Sequence, residues 1–423
     1  MYKKLIFFLI WISLVHSIHA AQTIQVWFHS GKGEERKVLN EQVKRFNQMQ
    51  QEIHVNLILL PEGSYNDQVN AAALAKDLPD LLDFDGPYIA NYVWSGFLRP
   101  LDKLVNKEII EDLLPSIINQ GTYPGDGRLY SIGTFDSGLA LWGNKQLLKK
   151  GGVRIPTSTK DAWNLKEFEE ALAKLASTPG VKWPLDLKLN YGRGEWFTYG
   201  FSPILQSMGG DLIDRKRWVP SGTLNSKASI EAMGLLQKWV KQGWVVNAAS
   251  GDNKFYGDKS VGLSWVGHWM WQAHKKGLGD DLVLIPMPRF GSKAVTGMGS
   301  WNWGITKKSK HPKLAAKFLE FLLQPEEVLR MANANGAVPA RLTSIDQSSL
   351  YQKGGPLHLF IEQLKTIAVP RPFHPAYPIL TSVYAEAVDH ILAGGNVEIE
   401  LNKAVRKIVE DIEDNDGYPP FGK

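Results

Sequence analysis

The 423-residue chain contains no cysteine. That absence excludes disulfides, thiolate metal sites, a cysteine nucleophile and lipid attachment through an N-terminal cysteine. The chain also lacks HExxH, GxSxG, GxxxxGK[ST] and GxGxxG. The zinc hydrolases, α/β-hydrolases, P-loop enzymes and dinucleotide-binding enzymes that use those motifs are therefore not indicated. The ten histidines have no metal-like spacing, so no metal, cofactor or catalytic residue is expected. Charge of one sign is not in excess either. Of 48 basic residues, all but Lys3 and Lys4 lie beyond the first 20 positions, leaving 46 against 43 acidic ones. That balance, with no basic stripe, argues against a nucleic-acid partner. Long apolar runs are missing: Leu5 to Val15 is shorter than the roughly 20 residues a membrane-spanning helix needs.

That short run follows Lys3 and Lys4 and leads into small and polar residues ending at Ala20, the layout of a secretory leader. Residues 1–20 are expected to be removed, leaving a soluble periplasmic protein without a lipid anchor. A hydrophobic fraction of 44% with 22% charged residues, over this length, is enough for two cores.

The mature chain opens with an alternating segment, Ile24, Val26 and Phe28 on one face, and a glycine-bearing turn. A helical pattern with Val38 or Leu39, Val43, Phe46 and Met49 follows, then a strand with Ile53, Val55, Leu57 and Leu59. A helix through Val69 to Ala75 and a strand at Leu81 to Phe84 complete β-α-β-α-β. Such an order implies parallel strands whose carboxyl ends share one edge, where ligands bind in open α/β sheets. Three loops meet there, 28–34, 61–66 and 85–88. Phe135 to Trp142, Leu282 to Ile285 and Ser300 to Thr306 also read as strands. Helices are expected from Lys166, from Pro312 until Pro325 stops it, and through Leu401, Val405, Ile408 and Ile412.

What the chain has in abundance is tryptophan, 15 residues. Trp27, Trp142 and Trp239 follow core periodicities. Trp27 and several others also stand beside polar residues in loop-like sequence: Trp27-Phe28-His29 running into Lys32 and Glu34, Glu195-Trp196, Trp265 to Trp269 including His268, and Trp301-Asn302-Trp303. A sugar offers C–H faces to flat rings and hydroxyl edges to carboxylates, amides and cations, so a sugar site needs both kinds together. Asp85 ends the third strand. Arg371, between two prolines, is held out of any helix interior, with a cleft-facing and a solvated placement both open.

Ordered short motifs resemble one family across nearly the whole mature chain. They are Pro79-Asp80, Ser95-Gly96-Phe97-Leu98, Gly127-Arg128-Leu129-Tyr130, Trp142-Gly143-Asn144-Lys145, Met208-Gly209-Gly210-Asp211, Gly267-His268-Trp269, the Lys310 to Phe321 helix and Val338-Pro339-Ala340-Arg341. Together they resemble the family 1 extracellular solute-binding proteins of ABC-type sugar importers, the maltose-binding-protein-like group. The resemblance implies a two-lobed α/β periplasmic-binding-protein fold of type II, each lobe a mostly parallel sheet flanked by helices. It places the first lobe at 21–134 plus 289–323 and the second at 135–288 plus 324–423, with ligand in the cleft between them.

It implies ligand contacts at Lys32, Glu34, Asp85, Asp136, Glu195, Trp196 and Trp269. The aromatic and loop patterns add Trp265, His268, Trp301, Trp303 and Arg371. The partners implied are a carbohydrate, a di- or oligosaccharide, and the permease subunits of the importer, with the binding protein itself a monomer. Two competing readings stay open at this level: a glycerol-phosphate-type ligand, and a secreted carbohydrate-active enzyme.

Overall fold

A computed structural model describes residues 21–31 and 33–421; the expected leader and Lys32 lie outside the described residues. Among the described residues twelve strands follow in chain order: β1 Gln22–His29, β2 Ile53–Leu60, β3 Leu81–Asp85, β4 Phe135–Asp136, β5 Leu139–Asn144, β6 Trp183–Asp186, β7 Val261–Gly267, β8 Leu282–Ile285, β9 Thr296–Met298, β10 Trp301–Ile305, β11 Val338–Pro339 and β12 Ala368–Pro370. The first lobe is built on the sheet β10-β3-β1-β2 and the second on β6-β7-β5-β8.

In the first sheet β1 runs parallel to β2 and β3, and β10 runs against β3. Ile24, Val26 and Phe28 of β1 are buried as alternation predicts, and so are Leu39, Val43 and Phe46 of the Gly33–Met49 helix beside it. Met49 is the exception: it is exposed at the last position of the helix. In the second sheet β6 is parallel to β7, while β5 runs against both β7 and β8. Each sheet therefore has three strands in one direction and one opposed. The opposed strand is in each case one that arrives from the other lobe, β5 just after β4 and β10 just after β9.

Between the sheets lie two short ladders, β4 with β11 and β9 with β12. They carry the chain from lobe to lobe. The expected stretch Phe135 to Trp142 is split at Ser137 and Gly138 into a crossing strand and a sheet strand, because the chain turns from one lobe into the other there.

Packing near residues 289 and 324 bears on where the chain changes lobe. Phe290 packs with Phe168, Trp239 and Trp265 of the second lobe, so the chain returns only at β9 and β10. The Pro312 helix ends at Leu322, ahead of Pro325 as expected, and Pro325 then opens a second helix, Pro325–Asn335, since proline suits a first turn. That helix packs on the first lobe: Glu327 pairs with Arg45 at 2.5 Å and its carbonyl accepts from Gln42. Arg341 likewise pairs with Asp112 at 2.6 Å. The passage into the second lobe is at β12, after which the Tyr377–Leu392 and Val397–Asp414 helices pack together.

Candidate functional site

The carboxyl ends of β1 and β3 place His29 and Asp85 at one edge of the first sheet, and antiparallel pairing sets Trp301 of β10 opposite Asp85. From the second lobe, the Glu195–Met208 helix begins at Glu195, and the segment after β12 supplies Arg371. These meet. Arg371 forms a two-pronged pair with Asp85, Nη1 to Oδ2 at 2.6 Å and Nη2 to Oδ1 at 2.7 Å, and Nη1 also donates to Glu195 Oε1 at 2.5 Å. A flat guanidinium matches a carboxylate fork in this way and a lysine does not.

Tyr377 Oη donates to the same Glu195 oxygen, and Thr381 Oγ1 donates to the other at 2.7 Å. Burial pushes the Glu195 carboxyl up; Arg371 pulls against this without cancelling it. Burial disfavours the Arg371 charge, but Asp85 and Glu195 more than reverse that and hold it cationic.

The Arg371 guanidinium lies 4.7 Å from the ring centre of Tyr199, one turn along the helix from Glu195. Tyr199 joins the charges to an aromatic group. Its ring is 6.1 Å from Trp269, and Trp269 stands edge-on to Trp196 at 5.9 Å and 89°. Trp269 Nε1–H donates to Tyr191 Oη at 3.1 Å, and Trp196 Nε1–H to the Leu187 carbonyl at 3.0 Å. Trp269 folds back over Gly267, where a Cβ would lie 2.1 Å from its ring; only glycine leaves that space.

Behind Tyr199 runs a hydrogen-bonded chain. Burial lowers the His268 pKa to about 4, so the ring is neutral at pH 7. Its Nδ1 faces the Asn335 carbonyl at 3.0 Å and must carry the hydrogen, leaving Nε2 to accept from Ser137 Oγ at 2.9 Å. Ser137 in turn accepts from Tyr199 Oη at 3.0 Å. An unfolded imidazole titrates near 6.5, so below that pH the unfolded chain binds a proton that folded His268 refuses. This term is full above about pH 6.5 and fades as the pH falls towards 4. At pH 5 it should cost about 2 kcal/mol relative to pH 7. Urea unfolding of the His268→Gln variant at both pH values should show a smaller acid loss than the parent; an equal loss would place the sensitivity elsewhere.

The sequence-named residues divide clearly. Asp85 and Glu195 both bind Arg371, Trp196 and Trp269 join them through Tyr199, and Trp301 adjoins Asp85 by strand pairing. The others stand apart. Trp265 is wholly buried, donates to the Gly200 carbonyl and stacks on Phe290, because β7 is covered on both faces. Trp303 shares the face of Trp301 but lies deeper, against Phe28.

Asp136 is sealed in the crossing β4, accepting from Gln120 at 3.1 Å and the Ser137 amide at 2.8 Å, and burial raises its pKa. His268 is buried one layer behind Tyr199. Glu34 is exposed in the first turn of its helix; the neighbouring Glu35 is the buried carboxylate, 3.9 Å from His29. Sequence reasoning missed Tyr199, Tyr377 and Thr381. The spacing of four between Glu195 and Tyr199, and again between Tyr377 and Thr381, puts each pair on one helix face. Nothing local says that those faces meet.

A family model described as bacterial extracellular solute-binding protein matches residues 41–355. The chain is 27% identical over 304 residues to the maltodextrin-binding protein MdxE of Bacillus subtilis, covering 68% of each chain. It is 22% identical over 322 residues to an arabinooligosaccharide-binding protein of the same organism, covering 71% of this chain and 69% of the other. Among solved structures, the GacH receptor of Streptomyces glaucescens superposes with a TM-score of 0.78 at 22% identity, over 93% of this chain and 100% of that one. Maltose-bound T. maritima MalE3 gives 0.78 at 21% identity, with 93% and 100% covered. Such structural likeness establishes the two-lobed fold, and the match over most of its length places this chain in the family of bacterial extracellular solute-binding proteins.

Proposed function

We propose that this protein is the periplasmic, non-lipidated receptor of an ABC importer, and that it takes a di- or oligosaccharide between its lobes and releases it unchanged to the permease. The observation that carries the reading is the junction at Tyr199, where the Asp85–Arg371–Glu195 cluster meets the rings of Trp269 and Trp196. Rings for C–H faces stand beside carboxylates and a cation for hydroxyls, and the two carboxylates come from different lobes. A ligand bridging them stabilises the closed arrangement and leaves the open one unaided, which is how binding becomes a change of shape an importer can read. Relatives named for maltodextrin and arabinooligosaccharide binding support a saccharide of more than one unit.

The phosphate reading has less to stand on, because the Arg371 charge already serves two carboxylates. The enzyme reading is weakened by the same cluster. Glycosidase carboxyls act across a gap of roughly 5–9.5 Å with one of them free to give a proton, whereas Asp85 and Glu195 are tied to a single guanidinium.

The deciding experiment is intrinsic fluorescence of ligand-stripped protein titrated with maltose, maltotriose, cellobiose, arabinotriose, glucose and glycerol 3-phosphate, followed by chromatography of the mixture. A saturable change with oligosaccharides and unaltered sugar afterwards is expected. Saturation by glycerol 3-phosphate alone, or a cleaved sugar, would sink the proposal.

A further inference from the structure

His29 ends β1 and is 2% exposed. Its amide donates to Asp83 Oδ1 at 2.9 Å and its Nδ1 lies 2.5 Å from Asp83 Oδ2. Its ring lies flat on Trp301, centroids 3.5 Å apart and planes 9° from parallel, while Tyr65 meets the same indole edge-on at 5.5 Å and 87°. Trp301 is thus pinned on one face and one edge, yet keeps part of its surface in solvent.

A buried ion pair is a costly way to fill this space. Asp83 interrupts the apolar run Leu81, Leu82, Phe84 at the middle of β3, where a hydrophobic pair would pack with no desolvation penalty. The charged groups facing His29 are all acidic among the described residues: Asp83 from β3, Glu35 from the Gly33–Met49 helix and Glu62 from the turn after β2, with the Tyr65 hydroxyl beside Asp83. Burial alone would make the ring neutral; Asp83 and then Glu35 and Glu62 reverse this and raise its pKa. An imidazolium on an indole face is a cation–π contact, which gains strength when desolvated.

We propose that His29, held by Asp83, is a positioning residue of the ligand site: its imidazolium fixes Trp301 as a platform for the ligand and makes that platform sensitive to pH. The proposal rests on the reading that Trp301 meets the ligand. Because the charge is favoured in the folded state, its stabilising effect is full below about pH 6.5 and is lost as pH rises through the folded pKa. Ligand affinity should fall over the same range.

The test uses the full chain and two readouts. In the absence of ligand, fluorescence is followed from pH 5.5 to 9.5 for the parent and for His29→Gln, Asp83→Asn and Trp301→Phe. An imidazolium stacked on an indole quenches it, so the parent should show a titration step that vanishes in His29→Gln and Trp301→Phe and moves to lower pH in Asp83→Asn. A step that survives His29→Gln, or no step in the parent, overturns the proposal. Maltotriose affinity is then measured across the same range, where His29→Gln should bind roughly tenfold more weakly at pH 6 and with a flat pH profile. Parent-like affinity and pH profile in His29→Gln would overturn the positioning role while leaving saccharide binding intact. Failure of the parent to bind any saccharide, with the fluorescence step behaving as expected, would overturn the saccharide reading and leave the positioning of Trp301 standing.

Discussion

Replacing Arg371 by methionine lowers the stability of the protein by about 3–5 kcal/mol, because it strands Asp85 and Glu195 beside each other without their shared cation. The side chain is 5% exposed, so solvent offers little compensation. With an unfolding entropy of roughly 2 cal/mol/K per residue, a loss of that size in a chain this long moves Tm by only about 5 °C. Urea midpoints at constant m are the better measure. The triple variant Asp85→Asn, Glu195→Gln, Arg371→Met removes all three charges and should regain most of the loss. If Arg371→Met alone costs under about 1 kcal/mol, the cluster is behaving as a surface pair and the clamp is misread. Asp85 belongs to the first lobe and Glu195 to the second, so the same change should also part the lobes. An increase in radius of gyration by solution scattering, with weaker ligand binding, is the expected companion.

The second large effect separates two tryptophans that the sequence treats alike. Trp269 is half-buried and held by Tyr191, with part of its ring left in solvent; Trp196 is 9% exposed and anchored to the Leu187 carbonyl. Trp269→Ala should therefore weaken saccharide binding by roughly 10- to 100-fold and change stability little. Trp196→Ala should remove about 3–5 kcal/mol of stability and lose binding as a consequence. Gly267→Ala offers a check that leaves the indole in place, since the added methyl displaces Trp269; it should reproduce a large part of the binding defect. Equal stability losses at 196 and 269, with equal affinities, would contradict this division.

Much of the first lobe was legible because its strands and helices are consecutive and their apolar spacing is regular. Ile24, Val26, Phe28, Leu39 and Phe46 are where alternation and helical period put them. The candidate site was legible where a residue ends an element, as Asp85 and Glu195 do. It was illegible where the answer depends on a neighbour far along the chain. Trp301 and Trp303 have the same spacing and chemistry, yet Phe28 covers one while His29 leaves the other partly open. Trp265 reads as an aromatic beside glycine and histidine, and only the covering of β7 on both faces makes it core. Arg371 could be aimed or solvated from its two prolines alone; its partners lie 286 and 176 residues away. The boundary at 324 came from the resemblance alone, and the pairs that tie the segment after it to the first lobe, Arg45 with Glu327 and Arg341 with Asp112, join residues too far apart in the chain for any local pattern to announce.

The order of strands also sets the order in which the molecule can assemble. All four strands of the second sheet come from one continuous stretch, β5 to β8, while the first sheet must wait for β10, which follows that entire stretch. Pairing distant segments is slow, since loop closure is costly before any contact rewards it. During refolding the second lobe should complete its hydrogen-bond ladder while β3 still has an open edge at the side that later receives Trp301. The platform is thus among the last parts of the site to exist, and a chain arrested midway would own Glu195 and Trp269 but no partner lobe to close on them.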